Sequence, residues 1–163
     1  MSPRVGVSVF PERRLTLWAT SLVVFLIDQI TKMGALQCSA PGEYTALIPG
    51  WLGVVPIANH GMALEAAAAV SASGDAWALA SITLVVIAAI TYFLYLHFSR
   101  DQVAQLGLAL LLGGAAGNTF DRLRLGHVID FLHINLTSVN CPVFNVADLA
   151  VVFAVVILVF RYK

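Results

Sequence analysis

VFNVADLAVVFAVVILVF, from Val143 to Phe160, is the stretch whose reading decides the fold. As a helix it is long enough to cross a hydrocarbon core of ~30 Å, which takes roughly 17–25 residues. Its single charge, Asp148, lies near its start, and an unbroken apolar run, Leu149 to Phe160, follows. Three further stretches resemble it. Leu15 to Leu36 carries Asp28 and Lys32, Trp77 to Phe98 has no charge apart from a protonated His97, and Val103 to Phe120 is rich in Leu, Gly and Ala. So few spans cannot close a β-barrel, and they lack its alternating pattern, so helices are expected.

The composition agrees. Of 163 residues 60% are hydrophobic and 11% charged, with a net charge of zero, whereas a soluble domain carries roughly 25% charge. The mean hydropathy is +0.88. These values exclude a disordered chain, a nucleic-acid binder and an ordinary water-soluble enzyme. The expected fold is a single membrane α-helical domain, residues 1–163. It has four transmembrane helices, at about 15–36, 77–98, 103–120 and 143–160, and outer segments at 37–76 and 122–142. The first span is not expected to be a cleaved signal: Arg13 and Arg14 precede an apolar core, but Asp28 and Lys32 follow it instead of a small-residue cleavage site.

Orientation follows from the basic residues. Arg4, Arg13, Arg14, Arg100, Arg161 and Lys163, six of the nine, fall on the side of the two termini, against Lys32, Arg122 and Arg124 on the other. The positive-inside rule then puts both termini in the cytoplasm. The outer segments carry strand and turn signals. Tyr44 to Ile57 is β-branched and aromatic, broken by Pro49, Gly50 and Gly53, and a second strand candidate covers Leu125 to Leu136. Alanine-rich Glu65 to Val70 suits a short surface helix. Together they predict a small extracytoplasmic β-rich cap.

Charges inside a bilayer cost at least ~2.5–3.5 kcal/mol near its centre and are kept for a reason. Here Asp28, Lys32, Asp121, Arg122, Asp130 and Asp148 all map to the outer ends of spans or to the outer segments, joined by Asn59, Asn118 and Asn145. That one-sided clustering predicts a polar site near the outer interface. Helical spacing lets Asp28 pair with Lys32, puts Asn118, Asp121 and Arg122 on one face, and does the same for Asn145 and Asp148. Gly113 and Gly117 form a small-xxx-small pair suited to close helix packing. Asp130, between Ile129 and Phe131, is expected to be partly desolvated, which raises a carboxyl pKa.

Other chemistries fit less well. His127, Asp130 and His133 would converge on a helix, but on the expected strand Asp130 faces away from both histidines, which argues against a metal. No G-x-S-x-G elbow supports a serine nucleophile. Cys38 and Cys141 match no zinc or redox motif, and whether they form a disulfide stays open. A proton or ion transporter would carry ionisable groups along the whole bilayer path. A non-enzymatic scaffold would leave the acids unexplained.

Four motifs in order, DQITK (Asp28 to Lys32), NHGMA (Asn59 to Ala63), GGAAGNTFDRLRLGHVIDF (Gly113 to Phe131) and FNVAD (Phe144 to Asp148), resemble those of the bacterial lipoprotein signal peptidase, or signal peptidase II, family. Leu64 departs from the aromatic residue common in that family after the second motif. The resemblance implies an intramembrane aspartic endopeptidase of the bacterial inner membrane. It would remove signal peptides from prolipoproteins by cutting before a diacylglyceryl-modified cysteine. It also implies a catalytic pair at Asp130 and Asp148, with Asn59, Gly61, Asn118, Asp121, Arg122, Asn145, Asp28 and Lys32 at other motif positions. Its implied partners are lipid-modified precursors and membrane lipids, with no nucleic acid, metal or organic cofactor, and the enzyme would act as a monomer.

Overall fold

The computed structural model describes residues 11–60, 81, 84–92, 101–136 and 139–161. Within them helix α1 runs Pro11–Cys38, strand β1 Thr45–Ile48 and strand β2 Leu52–Asn59. Residues 84–92 form helix α2. Helix α3 is Gln102–Leu125, strands β3 and β4 are Val128–Leu136 and Val139–Asn140, and helix α4 is Val146–Arg161.

The long helices bury the wrong side for a molecule in water. On α1 the buried positions include Ser21, Asp28, Lys32 and Ala35, spaced 7, 4 and 3 apart and so on one helix face. Leu15, Trp18, Leu22, Leu26, Ile30 and Met33 are exposed, Trp18 at 62%. Helix α4 likewise exposes Phe153, Val159 and Phe160 while burying Ala147, Ala150 and Ala154. Exposed apolar surface around a polar interior is favourable only against an apolar surrounding. Both α1, over Leu15–Cys38, and α3 are long and apolar enough to cross a membrane.

Helix α3 packs between α1 and α4, and its glycines set how closely. A Cβ at Gly113 would stand 2.6 Å from the Ser21 carbonyl oxygen, and one at Gly114 2.5 Å from that of Ala147. At Gly117 it would meet the Asp28 carboxylate. Alanine at these points would push the neighbouring backbones apart, which is the small-residue logic of helix contacts in membranes. At the opposite end of the bundle Leu17, Ala104, Leu108 and Leu158 form an apolar cluster.

The strands make one antiparallel sheet in the order β1-β2-β3-β4. Pro49-Gly50 turns β1 into β2, with the left-handed φ of +79° falling on the glycine. The β2–β3 register shifts between Val54 and Ile57. Pro56 lies in that interval, has no N–H to give a ladder, and accepts a bond from Gly42 N–H at 2.9 Å. Phe131 and Val54 pack on Ala35 of α1, which seats the sheet on the helix.

The predicted spans need adjusting at their ends. The first helix is longer than 15–36, running Pro11–Cys38. The third does not stop at 120 but continues to Leu125, where Gly126 takes a left-handed φ of 78° and gives its N–H to the Arg122 carbonyl. Arg122 and Arg124 therefore belong to the last turn of α3, where positive charge suits the helix dipole, and the strand starts at Val128, not Leu125. The fourth helix starts at Val146, not 143, because Phe144 is still paired with β3. Most of the predicted span at 77–98, together with Gly61 and Glu65 to Val70, lies outside the described residues. Cys38 and Cys141 are free thiols.

Candidate active site

The site forms where the C-terminal ends of α1 and α3 and the N-terminal end of α4 meet β3. Two structural devices bring the parts together. The backbone of Phe144 pairs with Phe131 and Leu132 of β3, with three N–H to O bonds of 2.8–3.1 Å. The chain entering α4 is thus pinned beside Asp130. Asn145 then caps α4: its Oδ1 accepts from Asp148 N–H at 2.9 Å, and the Asp148 carboxylate accepts from Asn145 N–H at 3.2 Å. This reciprocal pairing between N-cap and third helical residue is a capping box built with an aspartate. The i, i+3 spacing read from the sequence as a shared helix face is this box.

Asp130 is 2% exposed. One carboxylate oxygen accepts from Asn145 Nδ2 at 2.6 Å and the other from Asn59 Nδ2 at 2.7 Å. Burial pushes its carboxyl up to about 6, with the nearby Asp148 adding in the same direction, against the opposing pull of the two asparagine donors and Lys32. Asp148 is half-buried. Its other partner is Asn118, whose Nδ2 donates at 2.8 Å.

The two asparagines are joined to each other. Asn145 Nδ2 also reaches Asn118 Oδ1 at 3.0 Å and the Ile129 carbonyl at 3.3 Å. Asn118 Oδ1 accepts in addition from Lys32 Nζ at 3.0 Å. A continuous polar chain therefore runs from Lys32 through Asn118 to Asp148, and through Asn145 to Asp130.

Lys32 anchors this chain. It is 1% exposed and forms ion pairs with Asp28 at 2.8 Å and Asp121 at 2.7 Å. Both carboxylates also tie elements together: Asp28 accepts from Ala147 N–H of α4 at 2.9 Å, and Asp121 from Ile129 N–H of β3 at 3.2 Å. Buried charges in such a cluster are tolerable only when their remaining oxygens and protons are satisfied, as they are here. The Asp28–Lys32 pair expected from its spacing is present, and Asp121 joins it from 89 positions further along the chain.

Arg122 stands apart. It is half-buried, with one long bond from Nη1 to the Asn118 carbonyl at 3.4 Å, and lies in the electrostatic field of Asp148, Asp130 and Asp121. Of the residues singled out from the sequence, Asp28, Lys32, Asn59, Asn118, Asp121, Arg122, Asp130, Asn145 and Asp148 all gather here. Gly61 lies outside the described residues. Gln29 was not singled out, although its amide donates to Asp28 and Asp121 at 3.1 Å each, and to the Gly117 carbonyl at 3.4 Å. Its position between Asp28 and Lys32 was the available signal.

Among the described residues no group of three His, Cys, Asp or Glu is placed to hold a metal ion. Two carboxylates, one of them with a raised pKa, held by amide donors at the end of a helix bundle are groups suited to giving and taking protons.

The family model for signal peptidase (SPase) II matches residues 20–162. The chain belongs to the signal peptidase II family. It is an aspartic peptidase of that type, and a membrane protein. It is 39% identical to the lipoprotein signal peptidase of Burkholderia mallei over 86% of its own length and 82% of that protein's. For the lipoprotein signal peptidase of Burkholderia thailandensis the identity is 38% over the same shares. Two solved structures share its fold, each described as a bacterial membrane enzyme determined by the in meso method. One, at 1.9 Å, has a TM-score of 0.70 at 25% identity, covering 90% of this chain and 92% of that one. The other, at 2.3 Å, has a TM-score of 0.73 at 26% identity, covering 90% and 87%. The peptidase acts within a family that removes signal peptides from prolipoproteins.

Proposed function

We propose that this peptidase cleaves diacylglyceryl-modified prolipoproteins just before the lipidated cysteine, with Asp130 and Asp148 as its catalytic pair. The observation that carries the reading is Asn145, whose side chain holds Asp130 and whose backbone N–H holds Asp148. Two acids fixed by one residue keep a set separation, which acid–base work on a single water requires.

The chemistry follows from like charges kept close. They do not both ionise cheaply, so the pair holds one proton to higher pH than separate carboxyls would. The ionised member takes a proton from water as the water attacks the scissile carbonyl carbon. The neutral member gives its proton to the carbonyl oxygen. Collapse of the tetrahedral intermediate then breaks the C–N bond, and the leaving amine takes a proton from the pair. The raised pKa of Asp130 makes it the carboxyl that keeps the proton more readily than an ordinary aspartate.

The remaining residues divide the labour. Asn59, Asn118 and Asn145 hold carboxylates, and Asp28, Lys32 and Asp121 hold the helices that carry them. Arg122 has donors left over and is the group that grips the substrate backbone where its helix unwinds. Unpaired backbone groups in lipid cost several kcal/mol each, so a donor there is needed. The protein is one domain with four membrane-spanning helices in the bacterial inner membrane and both termini in the cytoplasm. The sheet forms an extracytoplasmic cap at the head groups, where exposed Trp51 suits the interface. The lipid tails of the substrate stay in the bilayer and position its cysteine. The enzyme works as a monomer, and its peptide hydrolysis uses no metal or organic cofactor.

The test mixes purified enzyme with lipidated and unlipidated forms of one prolipoprotein. Cleavage of the lipidated form only, lost in both Asp130→Asn and Asp148→Asn, is the expected result. Cleavage surviving in either variant refutes the pair. A folded wild-type enzyme that cleaves neither form refutes the substrate.

A further inference from the structure

Outside the carboxylate network, two histidines face each other at the open end of the sheet. The last paired residues of β2 and β3 are Asn59 and Val128. One step beyond them, His60 stands opposite His127. Gly126, with its left-handed φ of 78°, directly precedes His127. The two imidazoles have ring centres 5.3 Å apart with planes inclined by 53°. His60 is exposed and His127 half-exposed, so the pair is open to the medium.

That separation has a chemical meaning. A zinc ion bonds imidazole nitrogen at ~2.0–2.1 Å, which puts it ~3.2 Å from the ring centre. Two rings bound to one ion at the tetrahedral angle then have centres ~5.2 Å apart. The observed spacing matches this. The inclination of the planes sets the pair apart from a parallel stack. Neutral imidazole is a good ligand for zinc, nickel and copper. A pair held one residue beyond two hydrogen-bonded strands loses little freedom on binding.

We propose that His60 and His127 form a two-histidine site for a divalent transition metal ion, with water completing its coordination. A bound ion ties the end of β2 to the start of β3. It does so next to Asn59, which holds Asp130.

The experiment uses the untagged full-length protein in detergent. Calorimetric titration with Zn²⁺ is expected to show one saturable site. His60→Gln and His127→Gln are each expected to weaken it by about tenfold or more, while His133→Gln leaves it unchanged. Cu²⁺ bound to the wild type is expected to show coupling to two imidazole nitrogens in its paramagnetic resonance spectrum, falling to one in either variant. The wild-type spectrum decides the matter even where a variant fails to fold. Coupling to one nitrogen or none, no saturable Zn²⁺ site, or equal affinity in folded variants overturns the proposal.

Discussion

The Asp130 carboxyl links activity to stability, and Asp130→Asn separates the two. A carboxyl raised from 3.8 to about 6 on folding binds its proton more tightly in the folded state. The folded form is therefore favoured fully below about pH 4. Stability falls as the pH rises through the interval from 3.8 to about 6, and is flat above it. The whole shift of about two units corresponds to ~3 kcal/mol at ~1.4 kcal/mol per unit. Between about pH 4.5 and pH 7.5 roughly 2 kcal/mol of this is lost, because the unfolded carboxyl is already partly ionised at the lower value. Asparagine has nearly the same shape and does not titrate. It does surrender one of the two donors now shared by the carboxylate oxygens, a pH-independent cost of ~1–2 kcal/mol. The difference in unfolding temperature between variant and wild type should therefore move in favour of the variant by about 4–8 °C over that pH range. The assay is thermal unfolding in detergent at matched ionic strength, with lipidated precursor cleavage measured alongside. Activity should be absent in the variant at every pH. A difference in unfolding temperature that stays constant from about pH 4.5 to pH 7.5 would refute the reasoning, since it would mean that folding leaves the carboxyl where it began.

Three other substitutions probe the frame. Lys32→Met removes the cation that pairs with both Asp28 and Asp121 and should cost ~3–5 kcal/mol in thermal or denaturant unfolding; a loss below ~1 kcal/mol would show that the acids do not depend on it. Gly117→Ala drives a methyl group into the Asp28 carboxylate, whose carbon would lie 3.0 Å away, and should lower stability by ~1–3 kcal/mol. Unfolding at the wild-type temperature would mean that α1 and α3 separate without penalty. Asn145→Ala loses the cap, worth ~1 kcal/mol, and takes from Asp130 one of its two amide donors and from Asn118 its link to the pair, so turnover should drop by about a hundredfold while the protein stays folded. Near-normal turnover would detach Asn145 from the pair.

The apolar runs and the Pro49-Gly50 turn were legible because hydropathy and turn chemistry are local properties. Helix ends were less so. Nothing between Phe120 and Gly126 breaks a helix, and a drop in hydropathy at Asp121 looks the same whether the helix ends or merely leaves the apolar layer. Asn145 and Asp148 show the same limit: a three-residue interval fits both a helix face and a capping box, and only the pairing of Phe144 with β3 selects the box. The clustering of polar residues on one side located the site, and nine of the residues named from the sequence meet there. Contacts such as Lys32 with Asp121 join distant parts of the chain and become visible only when α1 and α3 are packed. Gln29 was passed over because a neutral amide carries no electrostatic flag, although it bonds both acids that Lys32 neutralises.

The arrangement around Lys32 also bears on how the molecule is put together by the insertion machinery. Helix α1 leaves the ribosome before α3 and α4, with Asp28 and Lys32 one turn apart, so it enters the lipid as a self-neutralised unit. When α3 follows, its Asp121 finds a cation already waiting inside the membrane, and Gln29 offers a second donor. Helix α4 follows α3, and its Ala147 N–H occupies the remaining oxygen of Asp28. Each arriving segment is received by a partner laid down earlier. A chain deprived of its first helix would strand Asp121 in lipid and become a substrate for quality-control proteolysis, whereas one truncated after α1 would keep a stable anchor.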